Sequence, residues 1–285
     1  MSDRLNITSA IAIGIKALKE SSTSRLDTEV LLAHLLKKNT AYLRTWPEKE
    51  LSDAQEYTFH QLLEQRSAGQ PIAYLVGERE FWSRSFIVSP DVLIPRPDTE
   101  LLIDIIQTLF SPTQAFSALD MGTGSGAIAV TLACEFNKAN IIAIDASHNA
   151  LLVAQKNITR HSVNNIQLIK SDWFNDIRHL RVDLIVSNPP YIDKLDPHLS
   201  SGDIQFEPDS ALVSGQHGLQ DIKQIINGAS EHLNNQGFLL FEHGYQQGRE
   251  VHNLLELAGF RDIKGFKDIQ GHIRATLGQK PTTTR

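Results

Sequence analysis

Asn188-Pro189-Pro190-Tyr191 lies directly behind the apolar run from Val182 to Ser187 and makes a poor structural element but a good amide-reading site. Two consecutive prolines remove two backbone donors and disfavour the α region for the residue before each, so the chain leaves its strand extended and rigid. Asn188 is then held at a strand tip. Its carboxamide accepts through oxygen and donates through nitrogen, which matches an NH2 group attached to a carbonyl or a ring nitrogen. The pattern points to methyl transfer onto a planar nitrogen. The same residues also read as an Asn-Pro turn that closes a strand, so the rest of the chain has to decide.

A second constellation is Leu119-Asp120-Met121-Gly122-Thr123-Gly124-Ser125-Gly126-Ala127, which joins a strand to a helix. Glycines allow the chain to turn tightly and the backbone to approach a ligand, and a helix N-terminus offers free amides. Gly122, Thr123, Gly124, Ser125 and Gly126 are therefore candidate cofactor-binding residues. Gly122, Gly124 and Ala127 also fit the dinucleotide fingerprint, with Asp145 placed where a ribose-binding acid is wanted. By itself the loop could serve a nicotinamide enzyme. Both cofactor types present an adenosine whose ribose diol pairs with a carboxylate, so Asp145 is a ribose ligand in either case; its plainer use is to cap the helix starting near Ser147. Asp172-Trp173 ends the next strand, where a carboxylate can meet the adenine amino group and an aromatic ring can lie on its face. Hydride transfer has no evident use for Asn-Pro-Pro-Tyr, whereas amide methylation does.

Positioning these residues falls to three regions. Up to about residue 75 apolar residues recur at helical spacing (Ile11, Ile15, Leu18; Leu26, Val30, Ala33, Leu36), and a third segment runs from Ser52 to Arg66. Ser9 and Ser24 are expected to cap the first two helices. Beyond Pro71 the pattern turns to short aromatic and β-branched stretches, Phe81-Trp82 and Phe86-Ile87-Val88, separated by Ser83-Arg84-Ser85, which reads as a hairpin. Asp98 or Thr99 is expected to cap the following helix, with Glu100 in its first turn. From Ser117 onward, strands at Ser117 to Met121, Asn140 to Asp145, Ile166 to Ser171, Val182 to Ser187, Gly237 to Glu242, Phe260 to Gly265 and His272 to Leu277 alternate with amphipathic helices. That is an α/β chain with a doubly wound, mostly parallel, seven-stranded sheet. Its last two strands are too closely connected to be parallel neighbours and form an antiparallel edge hairpin. The expected organisation is a helical domain over 1–75, a hairpin linker over 76–95, a sheet domain over 96–279 and a frayed tail over 280–285.

Composition excludes several classes. A chain of 285 residues with 41% hydrophobic residues can bury a real core. A formal charge of -6, from 27 basic and 33 acidic residues, gives no broad attraction for nucleic acid or an anionic membrane. No run approaches the roughly 18 apolar residues of a spanning helix, and Met1-Ser2-Asp3-Arg4 opens no signal peptide, so a cytoplasmic location is expected. Cys134 is the only cysteine and sits among apolar neighbours; no disulfide or Cys-based zinc site is expected. The eleven histidines show no metal-binding pair flanking a glutamate, so no metal is expected.

Taken together, these residues resemble the S-adenosylmethionine-dependent methyltransferases, and specifically the HemK/PrmC family that methylates a glutamine side-chain amide in peptide chain release factors. The resemblance runs over nearly the whole chain: Gly77, Phe81 and Phe86; Leu93-Ile94-Pro95-Arg96-Pro97-Asp98-Thr99-Glu100; Gly122 to Gly126; Asp145; Asp172-Trp173; Asn188-Pro189-Pro190-Tyr191; Glu207-Pro208 with Ala211-Leu212; and Asp268, Gly271 and Arg274. Two departures are Asp98, where the family usually has Glu, and His217, where an acid is usual. The resemblance implies a Rossmann-like class I methyltransferase domain, S-adenosylmethionine as cofactor, and a helical N-terminal domain that helps hold the release factor. A monomer with no direct nucleic-acid partner is expected, and the resemblance implies that the target is the glutamine of a Gly-Gly-Gln loop. Asn188, Pro189 and Tyr191 are then the expected catalytic residues, with Pro190 beside them in the substrate site, and Asn188 is also expected to touch the cofactor. The Asn188 oxygen and the Pro189 carbonyl would accept the two amide hydrogens, and Tyr191 would pack on the amide or order the loop. Glu207 receives no role. The alternatives are an adenine amino-methyltransferase acting on DNA or RNA, a nicotinamide oxidoreductase, and a cofactor-binding adaptor without catalysis.

Overall fold

A computed structural model of the protein describes residues 4–282, and its contacts divide the chain into two compact units. The first comprises the residues up to Glu78 together with Ser200–Phe206; the second comprises Arg79–Leu199 and everything from Glu207 onward.

In the first unit, helices α1 (Ile7–Ala17), α2 (Ser24–Leu36), α3 (Thr40–Thr45), α4 (Asp53–Ser67) and α5 (Ile72–Val76) enclose Ile7, Leu31, Leu32, Leu43, Phe59 and Leu63. α1 and α2 come together at Gly14, where any Cβ would collide with the Thr28 side chain. Asn6, not Ser9, caps α1: its Oδ1 accepts from the Ser9 backbone at 2.9 Å, so Ser9 is the residue being capped. Ser24 is likewise already helical, and the flanking Thr23 donates its hydroxyl to Asp27 and leaves the cap unmade. α4 carries a reciprocal capping box between Ser52 and Gln55. α3 and α5 were not foreseen, because helices this short hold too few turns to show a period. Arg66 binds two acids, Asp27 at 2.8 Å and Asp203 at 2.9 Å, and so ties the distant segment Ser200–Phe206 into the helical unit.

Strands β1 (Glu78–Phe81) and β2 (Arg84–Ile87) form the hairpin. Its turn is Trp82-Ser83 rather than Ser83-Arg84-Ser85; Arg84 and Ser85 belong to β2. Trp82 and Ser83 both take positive φ, 51° and 56°, the handedness that suits a two-residue hairpin turn, and neither is a Gly or Asn that would have signalled it.

The second unit continues through α6 (Glu100–Leu109), β3 (Ser117–Met121), α7 (Ala127–Glu135), β4 (Asn140–Asp145), α8 (His148–Arg160), β5 (Ile166–Lys170) and β6 (Val182–Ser187). Short pieces follow: β7 (Ile192–Asp193), α9 (Asp209–Leu212), β8 (Val213–Ser214) and the distorted turn α10 (Gly215–Gly218). α11 (Gln220–His232), β9 (Leu233–Glu242), α12 (Gly248–Leu257), β10 (Arg261–Lys267) and β11 (Ile273–Gln279) complete it. The seven-stranded sheet runs β10-β11-β9-β6-β3-β4-β5, parallel from β9 to β5, with β11 antiparallel to both its neighbours. Alternate residues of each central strand face opposite layers. Ala118, Leu184, Val186 and Leu240 meet α6 and α7, while Leu119, Met121, Ile185 and Phe241 meet α11 and α12. β9 starts four residues before the expected Gly237, since its polar stretch is absorbed as an irregularity in the pairing with β6 around Gln236, at φ 63°.

The expected frayed tail begins too early. Lys280 is buried, and its ammonium donates to the carbonyls of Ser230 and Leu233 at 2.6 and 2.7 Å. The rest of that tail from 283 on, and Met1-Ser2-Asp3, lie outside the described residues. Among the described residues no helix is long and apolar enough to cross a membrane, and no cluster of three or more His, Cys, Asp or Glu could hold a metal ion.

One buried carboxamide ties the hairpin to the sheet unit. Asn157 of α8 is fully buried; it accepts from the Ile87 amide at 2.7 Å and donates to the carbonyls of Ile87 and Ser125 at 2.9 and 2.8 Å. Asn157→Leu strands three backbone groups without partners, so the unfolding free energy is expected to fall by about 2–4 kcal/mol. Equilibrium urea denaturation checks this; an unchanged midpoint contradicts it.

Candidate active site

β3 and β6 lie side by side at the point where the strand order reverses, and in doubly wound sheets ligands bind beyond the carboxyl ends of such strands. Here that place is a cavity of about 280 Å³. Gly122, Thr123, Gly124 and Ser125 line it from the loop after β3, Asp145 from the end of β4, Asp172 and Trp173 from beyond β5, and Asn188 and Pro190 from beyond β6. Gly126, Pro189 and Tyr191 do not line it. Pro189 is buried, and Gly126 closes the loop at φ 81° as the residue before α7.

The glycine loop is a cradle with room in it. Gly122 and Gly124 take φ of 71° and 55°, where side chains are strained, and a Cβ on either would meet nothing within 4 Å. The loop is pinned from below by β4, whose Ile144 carbonyl accepts from the amides of Gly122 and Thr123 at 3.0 and 2.9 Å. Asp145 pins it from the side: its Oδ2 accepts from the Gly124 amide at 2.9 Å and its Oδ1 from the Ser147 amide at 2.8 Å. Each oxygen keeps a lone pair for a further donor. Burial raises the Asp145 carboxyl above its ordinary range against the pull of those two amides. The cap of α8 is Ser147, whose hydroxyl oxygen accepts from Ala150, so that duty does not fall to Asp145.

Behind the cradle stands Asp120, fully buried on β3. Its Oδ2 accepts from the Thr123 hydroxyl at 2.6 Å and from the Ala129 amide in the first turn of α7, while its Oδ1 meets no partner. Burial pushes this carboxyl up to about 7, against the pull of those donors.

Trp173 is half-buried at φ 48°, its backbone held by Ser171 and its indole N–H donating to Asp221 at 3.2 Å. Asp172 is exposed at the rim of the same cavity.

Asn188 is half-buried at the mouth of β6. Its Nδ2 donates to Thr99 Oγ1 at 3.0 Å, and Thr99 Oγ1 is 2.7 Å from the Glu242 carboxylate. The Tyr191 hydroxyl donates to the other oxygen of Glu242 at 2.9 Å, and the Tyr191 ring packs against the buried face of the sheet with the Arg274 guanidinium 5.9 Å from its centroid. Tyr191 thus stands behind Asn188 and orders the loop; burial first, then the Glu242 charge, raises its phenol strongly.

Several residues here were missed or misread in the sequence. Neither Asp98 nor Thr99 caps α6: Thr99 serves Asn188 and Glu242, and Asp98 pairs with Arg274 at 3.1 Å. Glu100 accepts from the Trp82 amide at 2.8 Å. Glu207 is buried and holds both Arg96, at 2.6 Å, and the Ile94 amide, so it fixes the strip from Asp91 to Arg96 that lines the cavity opposite the sheet. Glu242 gave one signal, an acid ending a central apolar strand. His217 pairs with Asp193 at 2.8 Å on the surface.

A glycine cradle and a ribose-ready acid at the switch point suit either adenosine cofactor; with the likenesses that follow, the chain is an S-adenosylmethionine-dependent methyltransferase of class I. A methyltransferase structure from Pyrococcus furiosus superposes with a TM-score of 0.54 over 79% of this chain and 98% of its own, at 19% identity, a likeness of fold. The family model of the PrmC N-terminal domain matches residues 9–77, and that of the methyltransferase small domain matches residues 96–203. The chain is 46% identical over 263 residues to the release factor glutamine methyltransferase of Aliivibrio fischeri, covering 92% of each. It is 44% identical to that of Escherichia coli over 266 residues, 93% of this chain and 95% of the relative. The chain belongs to the release factor glutamine methyltransferase family.

The Asp120 proton gives a test of the cradle's foundation. Between pH 3.8 and about 7 the folded protein holds this proton and the unfolded chain has released it. The resulting stability is fully present below pH 3.8 and lost as pH rises through 7. Denaturant titrations should therefore show the stability of the wild type, relative to Asp120→Asn, falling across that window; a pH-independent difference contradicts the assignment.

Proposed function

We propose that this protein transfers the methyl group of S-adenosylmethionine to the side-chain amide nitrogen of the glutamine in the Gly-Gly-Gln loop of peptide chain release factors. The observation that carries this reading is the placement of the Asn188 carboxamide in the same cavity as the glycine cradle. The donor set fits the cofactor. Gly122 and Gly124 leave room for a close approach of backbone to ligand, the free lone pairs of Asp145 suit a ribose diol, and Asp172 and Trp173 suit the edge and face of adenine. S-adenosylmethionine, when bound, supplies an electrophilic methyl on a sulfonium.

A primary amide nitrogen is a feeble nucleophile because its lone pair is delocalised into the carbonyl. The protein therefore orients more than it deprotonates. Asn188 Oδ1 in the cavity and the carbonyl of Pro189, a residue otherwise buried outside the cavity lining, accept the two amide hydrogens and turn the nitrogen toward the methyl. Both contacts strengthen as positive charge builds on that nitrogen, so they favour the transition state over the ground state. No general base is needed, since the product cation sheds its proton readily. Pro190 walls the amide, and Tyr191 keeps the corner in shape. The helical unit, with Leu26, Trp46 and Tyr57 exposed, helps hold the release factor. The protein acts as a monomer in the cytoplasm, without nucleic acid, for which its net charge of -6 gives no broad attraction.

Mass spectrometry of purified release factor after incubation with the protein and S-adenosylmethionine should show one added methyl on that glutamine; methylation elsewhere or none overturns the reading. Asn188→Ala should lower turnover by about 10²- to 10³-fold while calorimetry shows cofactor affinity unchanged. Asp145→Ala should do the reverse, weakening cofactor binding by about tenfold or more through loss of charge-assisted hydrogen bonds. In the wild type that binding should also weaken as acid protonates the Asp145 carboxyl, whose raised range brings the loss in at a higher pH than for an ordinary aspartate.

A further inference from the structure

A carboxamide can present either edge to a ligand, and its orientation is set by the hydrogen bonds around it. For Asn188 the choice decides the chemistry. With Oδ1 outward it accepts from an NH2 group; with Nδ2 outward it would bind a carbonyl oxygen and put the wrong atom of a substrate amide forward. The Asn-Pro-Pro-Tyr corner itself fixes the backbone, not this rotation.

The polar groups behind Asn188 do fix it. Glu242 is 1% exposed at the end of β9. Among the described residues its carboxylate meets two neutral donors, Thr99 Oγ1 at 2.7 Å on Oε2 and Tyr191 Oη at 2.9 Å on Oε1. A carboxylate only accepts, and a threonine hydroxyl has one proton. That proton is committed to Glu242, so Thr99 can offer Asn188 nothing but a lone pair, and the edge of Asn188 that meets it must be the NH2, at 3.0 Å. A reversed carboxamide would set its oxygen against the Thr99 oxygen with no proton between them. Burying a carboxylate opposite two neutral hydroxyls is costly for packing alone, where apolar residues would serve as well. The cost is understandable if the charge enforces a direction. Burial raises the Glu242 carboxyl above its ordinary range, against the pull of the Thr99 and Tyr191 hydroxyls and of Arg274, which Asp98 anchors at 3.1 Å and Asp268 approaches at 3.7 Å.

We propose that Glu242 and Thr99 are positioning residues, a carboxylate–hydroxyl relay that locks the Asn188 carboxamide with its oxygen facing the cavity. The relay rests on the methyl-transfer reading for its purpose, but its geometry can be tested apart from it. Thr99→Val keeps the shape and removes the hydroxyl; Thr99→Ser keeps the hydroxyl. Steady-state kinetics with release factor should show kcat reduced about 10- to 100-fold in Thr99→Val, the scale of a misplaced catalytic contact. Thr99→Ser should stay within about threefold of wild type, and both variants should bind S-adenosylmethionine as the wild type does. Adding Glu242→Gln to Thr99→Val should cost less than about twofold more, because the two residues act in series.

The second readout needs neither cofactor nor substrate. In spectra of the 15N-labelled protein, the side-chain NH2 pair that vanishes in Asn188→Asp belongs to Asn188. Its exchange with solvent should be slow in the wild type and in Thr99→Ser, and about tenfold faster or more in Thr99→Val. Equal exchange in wild type and Thr99→Val, equal loss of kcat in the Ser and Val variants, or full additivity with Glu242→Gln would each overturn the relay. Should the wild type fail to methylate release factor while the exchange pattern holds, the reading of function falls and the relay stands.

Discussion

The site depends on the register between two parallel strands. Met121 of β3 pairs with Ser187 of β6, and the Ser187 hydroxyl donates to the Met121 carbonyl at 2.7 Å. Gly122 and Asn188 are the next residues on each strand, so the two chains leave the sheet together, one into a cradle and the other into a proline-stiffened corner. Slipping a strand by one residue would turn every side chain to the opposite layer. With both faces of β3 and β6 apolar, hydrophobic pattern alone does not forbid that slip; close packing of the two layers and the register-specific bonds Ser187–Met121 and Asp183–Ser117 hold the glycine loop beside Asn188.

On that register the protein builds a set of expensive polar groups. Asp120 caps α7 from beneath the cradle, Asp145 clamps the cradle from the side, and Glu242 stands behind Asn188. All three carboxyls are raised above their ordinary range, with burial as the leading cause. Each also holds at least one donor from the cavity wall: Thr123 on Asp120, Gly124 and Ser147 on Asp145, and Thr99 on Glu242. A fold seeking only stability would fill such places with apolar side chains; here the polar groups set backbone and side-chain directions that apolar packing leaves free.

Much of this was legible in the chain. The alternation of strands and helices after Ser117 gave the sheet, because parallel strands buried on both faces read as continuous apolar runs. Asn188-Pro189-Pro190-Tyr191 and the glycine loop were legible since proline and glycine carry backbone meaning at their own positions. What could not be read were partnerships across the sheet. Thr99 and Glu242 are 143 residues apart and Arg96 and Glu207 are 111 apart, and no local pattern joins them. Asp98 and Thr99 looked like caps because capping is what such residues do near a helix start; tertiary partners claimed them instead. The hairpin turn was misplaced by its lack of glycine, and the segment Ser200–Phe206 gave no sign that it packs with helices far earlier in the chain.

The central claim is that one cavity holds the methyl donor on the glycine cradle and turns a glutamine amide toward it with Asn188. A crystal structure of the protein with S-adenosylhomocysteine and the Gly-Gly-Gln segment of a release factor tests it most directly. The account predicts the adenosine ribose on Asp145 and the glutamine nitrogen within about 2.7–3.2 Å of Asn188 Oδ1. A glutamine seated away from Asn188, or with its carbonyl oxygen in that place, would contradict it.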